Sequence, residues 1–187
     1  MTTLAPKIEA PIETMAVFRY VEHLDNAIEE LTMLGIGRSD LTLLATERTL
    51  LDRLDRRYAR ISDLDGNFPC FVLTGAREAG GAKGSGRLVP VGTTTDGNRL
   101  FASDDDLAAA IAAGGRNERN CSSVRDALTR HIGHKQAHFL LEQLARGGVV
   151  LWVRARVGEK VSPMAQRILQ THSDRDLHTH VVHIIGK

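Results

Sequence analysis

The chain has 187 residues, 42% of them hydrophobic and 25% charged, with 24 lysines and arginines against 23 aspartates and glutamates. That composition supplies the core of one domain of ordinary size and excludes a globally disordered chain. A formal net charge of +1 removes the bulk electrostatic argument for nucleic acid or anionic lipid, so neither is an expected partner.

Residues 1–13, with Pro6 and Pro11 and no apolar run, read as a flexible leader that lacks the hydrophobic stretch of a secretion signal. No later segment approaches the roughly 20 apolar residues of a membrane span. Cys70 and Cys121 stand alone, which gives neither a disulfide framework nor a thiolate zinc site. The expected location is the cytoplasm.

Residues 14–47 read as a first βαβ half. Met15–Tyr20 is apolar and partly aromatic, as a strand should be. Leu24, Ala27, Ile28, Leu31 and Leu34 then recur at helical spacing, with Glu22, Asp25, Glu29 and Glu30 turned to water, and Gly35 and Gly37 stop the helix. Leu41–Thr46 follows as a second strand, parallel to the first.

Residues 48–130 form a central insertion of mixed helix and loop, about 80 residues and too long for a simple connection. It opens with a charged helical stretch over Glu47–Ile61, followed by a short strand over Phe68–Thr74 and a glycine-rich loop over Gly75–Gly86. Ser103 is placed to cap a helix over Asp104–Ala113, whose leading aspartates suit the positive end of the helix. A polar break runs from Gly114 to Ser123.

Residues 131–187 hold a helix and the second βαβ half. A helix over Gly133–Arg146 ends at Gly147 and Gly148, and Val149–Val157 is a strand rich in β-branched residues. Val161–Thr171 is helical, with Pro163 in its first turn, and Asp176–Ile185 closes as a strand. The turns Gly37-Arg38-Ser39-Asp40-Leu41 and Ser173-Asp174-Arg175-Asp176-Leu177 share a design, a trace of internal duplication. Two such halves predict an α+β, ferredoxin-like core, a four-stranded antiparallel sheet with both helices on one face.

The segment Ala137–Ala155, with Arg146-Gly147-Gly148 leading into an apolar strand that ends in arginine, resembles the C-terminal part of bacterial general-stress or heat-induced stress proteins. Val17–Ala45, with Leu34-Gly35-Ile36 and Asp40-Leu41-Thr42-Leu43-Leu44, resembles the opening strand, helix and strand of the same family. The resemblance implies a stress-associated protein and supplies no catalytic residues. Where that family often carries a glycine- and alanine-rich apolar hairpin, this chain has Arg77, Glu78, Lys83, Asp104, Asp105, Asp106, Arg116 and Arg119. The helix-packing or membrane role of such a hairpin is not expected here.

Few motifs carry chemistry. Lys83 is followed by Gly84 rather than serine or threonine, so the glycine-rich loop is no Walker motif, and Pro90 argues against the helix a dinucleotide fingerprint needs. Ser122 and Ser123 lack a nucleophile elbow. The histidines are more informative. Of His131, His134 and His138, the last two share a helix face if Gly133 starts the helix, and this spacing suits two imidazoles converging on one ion. His178 and His180 share a strand face, and His183 takes the other. His134, His138, His178 and His180 are therefore candidate transition-metal ligands, weighed against solvated or packing histidines. No other cofactor is implied.

Alternation sends Leu151, Val153, Ala155 and Val157 to the core and leaves Trp152, Arg154 and Arg156, with Val150 beside them, on an open sheet face. Such a mixed patch is the expected interface of a homo-oligomer or a protein partner, unless the insertion folds back over Trp152. The expected function is a non-enzymatic, stress-associated protein acting through self-association or partner binding. A histidine-based metal protein is the alternative. An RNA-binding module is the second, resting on Phe18, Tyr20 and Trp152 on strands, although the closely spaced aromatics of that consensus are absent.

Overall fold

Apolar residues stand in unbroken runs at Met15–Phe18 and Val149–Val153, a pattern that belongs to strands buried on both faces. The computed structural model describes residues 12–37, 40–54, 58–62, 69–73, 87–94, 96–103, 122–155, 161–173 and 180–183, and in it those runs lie at the centre of an α+β fold. In chain order the elements are β1 (Ile12–Phe18), α1 (Val21–Met33), β2 (Leu41–Thr46), α2 (Glu47–Arg53), β3 (Tyr58–Ser62), β4 (Pro69–Leu73), β5 (Arg87–Thr93) and β6 (Arg99–Ser103), followed by α3 (Ser122–Ile132), α4 (His134–Ala145), β7 (Val149–Ala155), α5 (Val161–His172) and β8 (His180–His183).

The strands form one sheet in the order β3-β4-β5-β6-β2-β7-β1-β8. Every neighbouring pair is antiparallel. β1 and β2 therefore run in the same direction, as expected, with β7 between them. The strands of the insertion extend the β2 side of the same sheet.

Side chains alternate between two buried faces. Ala16, Phe18, Leu43, Ala45, Val149, Leu151 and Val153 pack beneath Leu24, Ala27 and Leu31 of α1, Leu50 of α2 and Ala165 and Leu169 of α5. Met15, Val17, Leu44, Leu100, Ala102, Val150 and Trp152 pack beneath Val124, Leu128 and Ile132 of α3 and Ala137, Leu140 and Leu144 of α4. The two βαβ helices, α1 and α5, share one face as expected, but the expected open second face is corrected. α3 and α4 roof the second face, and each large aliphatic side chain they bury contributes about 1.5–3 kcal/mol of transfer free energy.

The helix expected over Glu47–Ile61 stops at Arg53, and Tyr58–Ser62 is a strand. Thr46 caps α2 by accepting the Thr49 amide at 3.2 Å, whereas Tyr58-Ala59-Arg60-Ile61 alternates with the period of a strand. The strand expected over Phe68–Thr74 is present as β4. β5 was hidden by Pro90 and Gly92, and the ladder tolerates them because its register shifts between these two residues. Ser103 ends β6, where its hydroxyl accepts the Leu43 amide at 2.7 Å. The helix it was expected to cap and the loop at Gly75–Gly86 lie outside the described residues.

Gly133, at φ 86°, separates α3 from α4. α4 ends in a Schellman turn, in which the Gly147 amide donates to the Leu144 carbonyl at 3.0 Å and the Gly148 amide to the Gln143 carbonyl at 2.9 Å. Gly147 takes φ 83°, and a Cβ on Gly148 would stand 2.8 Å from Val17 Cγ1 and 3.0 Å from the Gln143 carbonyl oxygen. The Arg-Gly-Gly signature is thereby explained by backbone geometry.

Candidate functional site

The structure distributes the expected site residues rather than gathering them. His134 and His138 are exposed, one turn apart on the outer surface of α4. His180 stands on β8, opposite Met15 in register, and His178 lies outside the described residues. Among the described residues no group of three or more histidine, cysteine, aspartate or glutamate side chains is placed to hold a metal ion.

The expected open face is covered. Trp152 is 2% exposed and Val150 0%, because α3 and α4 lie over them. This corrects their assignment to an interface, and it removes the sheet-face stacking platform on which the RNA reading depended, since Phe18 is also buried. Arg156 lies outside the described residues.

Arg154 has a different role. Its Nε donates to Glu13 Oε1 at 3.1 Å, and Trp152 Nε1 donates to Glu13 Oε2 at 3.0 Å. Glu13 is 1% exposed and stands directly opposite Arg154 in the β1–β7 ladder. A buried carboxylate costs several kcal/mol unless its oxygens are paired and hydrogen-bonded. Here both oxygens are engaged, and the cluster fixes the register of β1 on β7.

A second polar cluster closes the β5–β6 hairpin. Thr94 Oγ1 donates to Asp96 Oδ1, and Asn98 Nδ2 donates to Asp96 Oδ2 at 2.6 Å. The Thr94 bond, helped by Asn98 and opposed by slight desolvation, holds the Asp96 carboxyl below its usual range. These contacts shape a turn and leave no group poised for chemistry.

The third cluster sits where β1 passes into α1, α2 ends and α4 turns into β7. Arg53 Nη1 donates to the Arg19 carbonyl at 2.7 Å, and Arg19 Nη2 donates to Gln143 Oε1 at 3.3 Å. Arg53 Nη2 would stand 3.3 Å from a Cβ on Gly147, so the guanidinium occupies space that the missing side chain leaves. Tyr20 is 59% exposed, and its ring meets that of His23 edge-on with centroids 5.4 Å apart. Arg146 is held by Glu142 at the same helix end. Neither Arg19 nor Arg53 forms an ion pair with a carboxylate among the described residues. Arg19 and Gln143 are separated by 124 positions, and no sequence motif marks the set Arg19, Arg53 and Gln143.

No helix among the described residues is long and apolar enough to cross a membrane. Comparison with protein-family models, with curated proteins and with solved structures finds no match to the chain.

Proposed function

We propose that the chain is a non-enzymatic, stress-associated protein that acts by self-association through the outer surface of the α1, α2 and α5 layer. One observation carries this reading. The exposed large hydrophobic side chains among the described residues are Tyr20 at 59%, Met33 at 76%, Leu51 at 45% and Met164 at 50%, and all of them stand on or beside these three helices. Exposed apolar residues confined to one side suit an interface better than single ones scattered over the surface. The stress association rests on the resemblance of Val17–Ala45 and Ala137–Ala155 to bacterial general-stress proteins. We read β1-α1-β2 and β7-α5-β8 as the two halves of a ferredoxin-like core, a reading supported by the order β8-β1-β7-β2 within the sheet. The core is extended by β3 to β6 and roofed by α3 and α4, and the cytoplasm remains the expected location.

Light scattering at tens of micromolar tests the assembly. A mass above 20.5 kDa that falls to the monomer value in Met33→Glu/Met164→Glu, with circular dichroism unchanged, supports the reading. A mass of 20.5 kDa at every concentration overturns it.

A second reading, transition-metal binding, is favoured by one feature: His134 and His138 are both exposed on one face of α4. Added nickel or zinc should raise the melting temperature, and His134→Ala should abolish the rise, because a ligand stabilises the state that binds it. No rise at millimolar metal removes this reading.

A further inference from the structure

We infer that Arg19 and Arg53 form a binding site for a phosphoryl group, at the corner where β1 gives way to α1 and α4 turns into β7. A guanidinium carries five N–H donors in a fixed fork. Arg19 and Arg53 each spend a donor on a neutral acceptor, the Gln143 side chain and the Arg19 carbonyl respectively. Those bonds anchor the two cations to rigid elements while the rest of each fork faces outward, since both residues are exposed.

Arg146 at the same place is matched by Glu142, whereas Arg19 and Arg53 have no carboxylate among the described residues. The C-terminal end of α4 offers about half an elementary charge, which does not neutralise two guanidinium groups. An anion with several oxygens answers both needs at once, because paired guanidinium forks match phosphate geometry and a fixed pair has little ordering left to lose on binding. Gly147 lets the Arg53 guanidinium lie against the turn at the end of α4, since a Cβ there would stand 3.3 Å from Nη2. Tyr20 adjoins Arg19 and gives an exposed ring on which a planar group attached to the phosphate can lie.

Titration of the full-length chain at low ionic strength, followed by amide chemical shifts, tests the site with two probes, inorganic phosphate and adenosine monophosphate. Low salt matters because surface charges are screened over about 10 Å at 0.1 M. Both probes should shift Arg19, Tyr20 and Gly147. Arg19→Gln, which keeps a donor for Gln143, and Arg53→Gln, which keeps one for the Arg19 carbonyl, should each weaken binding about tenfold. Arg130→Gln, on the exposed face of α3, should leave affinity unchanged. Tighter binding of the nucleotide, lost in Tyr20→Ala, identifies an aromatic phosphate ester as the ligand class. Equal affinities identify the phosphoryl group alone. Absence of binding by either probe, or equal weakening by Arg130→Gln, overturns the proposal. Because the assay reads ligand contact and not mass, a monomeric chain leaves this test intact.

Discussion

The two helical layers cover opposite faces of one sheet, the first with the two short crossovers of α1 and α5 and the second with one long crossover that holds α3 and α4. α1 and α5 are crossovers between strands, so connectivity alone places them against the sheet, and His172 Nε2 of α5 meets Glu30 Oε1 of α1 at 3.0 Å across their outer surface. α3 and α4 lie on the connection from β6 to β7, which flank β2 and both run antiparallel to it, so they too form a crossover, across the opposite face. They are held to the sheet by Val124, Leu128, Ile132, Ala137, Leu140 and Leu144 above Met15, Val17, Val150 and Trp152. A sheet face that the two βαβ halves leave open is thus closed by a third crossover, carried by the segment between β6 and β7.

The largest effect should come from breaking that second layer at its centre. Trp152→Ala removes the bulkiest fully buried side chain on this face and should cost about 3–5 kcal/mol in chemical denaturation. Amide exchange should then quicken in α3 and α4 more than in α1. Equal acceleration in both layers would show that they unfold as one unit and would erase the contrast.

Glu13→Ala should rank next. It takes the carboxylate away from the buried indole N–H of Trp152 and from Arg154, a pairing whose loss costs about 3–5 kcal/mol when fully buried. Arg154 is 33% exposed, so solvent screening lowers the expectation to about 2–4 kcal/mol. A loss under about 0.5 kcal/mol would mean that the cluster does not hold β1 in register.

The smallest effect concerns the hairpin beneath α3, where Val91 and Leu100 enter the second core. Asp96 has a lowered pKa in the fold, so its contribution to stability is complete above its unfolded value of about 3.9 and is lost as pH falls through the folded value. Between pH 5 and pH 2.5 the native chain should therefore lose more melting temperature than Asp96→Asn. Parallel curves would remove the carboxylate from any part in holding the hairpin.

Much of the first layer was legible in the sequence because Leu24, Ala27 and Leu31 keep helical spacing beside acidic residues, and because Gly35 marks the stop. α4 and β7 were legible for the same kind of reason. α3 has no counterpart in the sequence reading, where the polar break ends at Ser123 and Val124, Leu128 and Ile132 stand among polar residues with no element assigned. Their four-residue spacing is the signal that could have found it. The unbroken apolar runs in β1 and β7 also announced burial on both faces, yet strict alternation assigned Trp152 to the outside. Glu13 fell within the expected leader, and its partner Arg154 lies 141 positions away, beyond the reach of any local pattern. The Arg19, Arg53 and Gln143 corner was hidden in the same way, being assembled by tertiary packing from three distant elements.

The position of β1 has a consequence for biosynthesis. β1, the first of the described strands to leave the ribosome, is sandwiched between β7 and β8, the last two of them, so its hydrogen-bonding partners do not exist while the intervening chain is being translated. At about 5–20 residues per second the apolar segment Met15–Phe18 waits on the order of 10–30 s before it can pair. During that interval it is a sticky edge in search of a complement, and its fate depends on chaperone occupancy and nascent-chain crowding rather than on native stability. A chain wired in this way cannot complete its sheet until β7 and β8 have emerged, and conditions that tax the chaperone pool bear on its yield before they bear on its melting temperature.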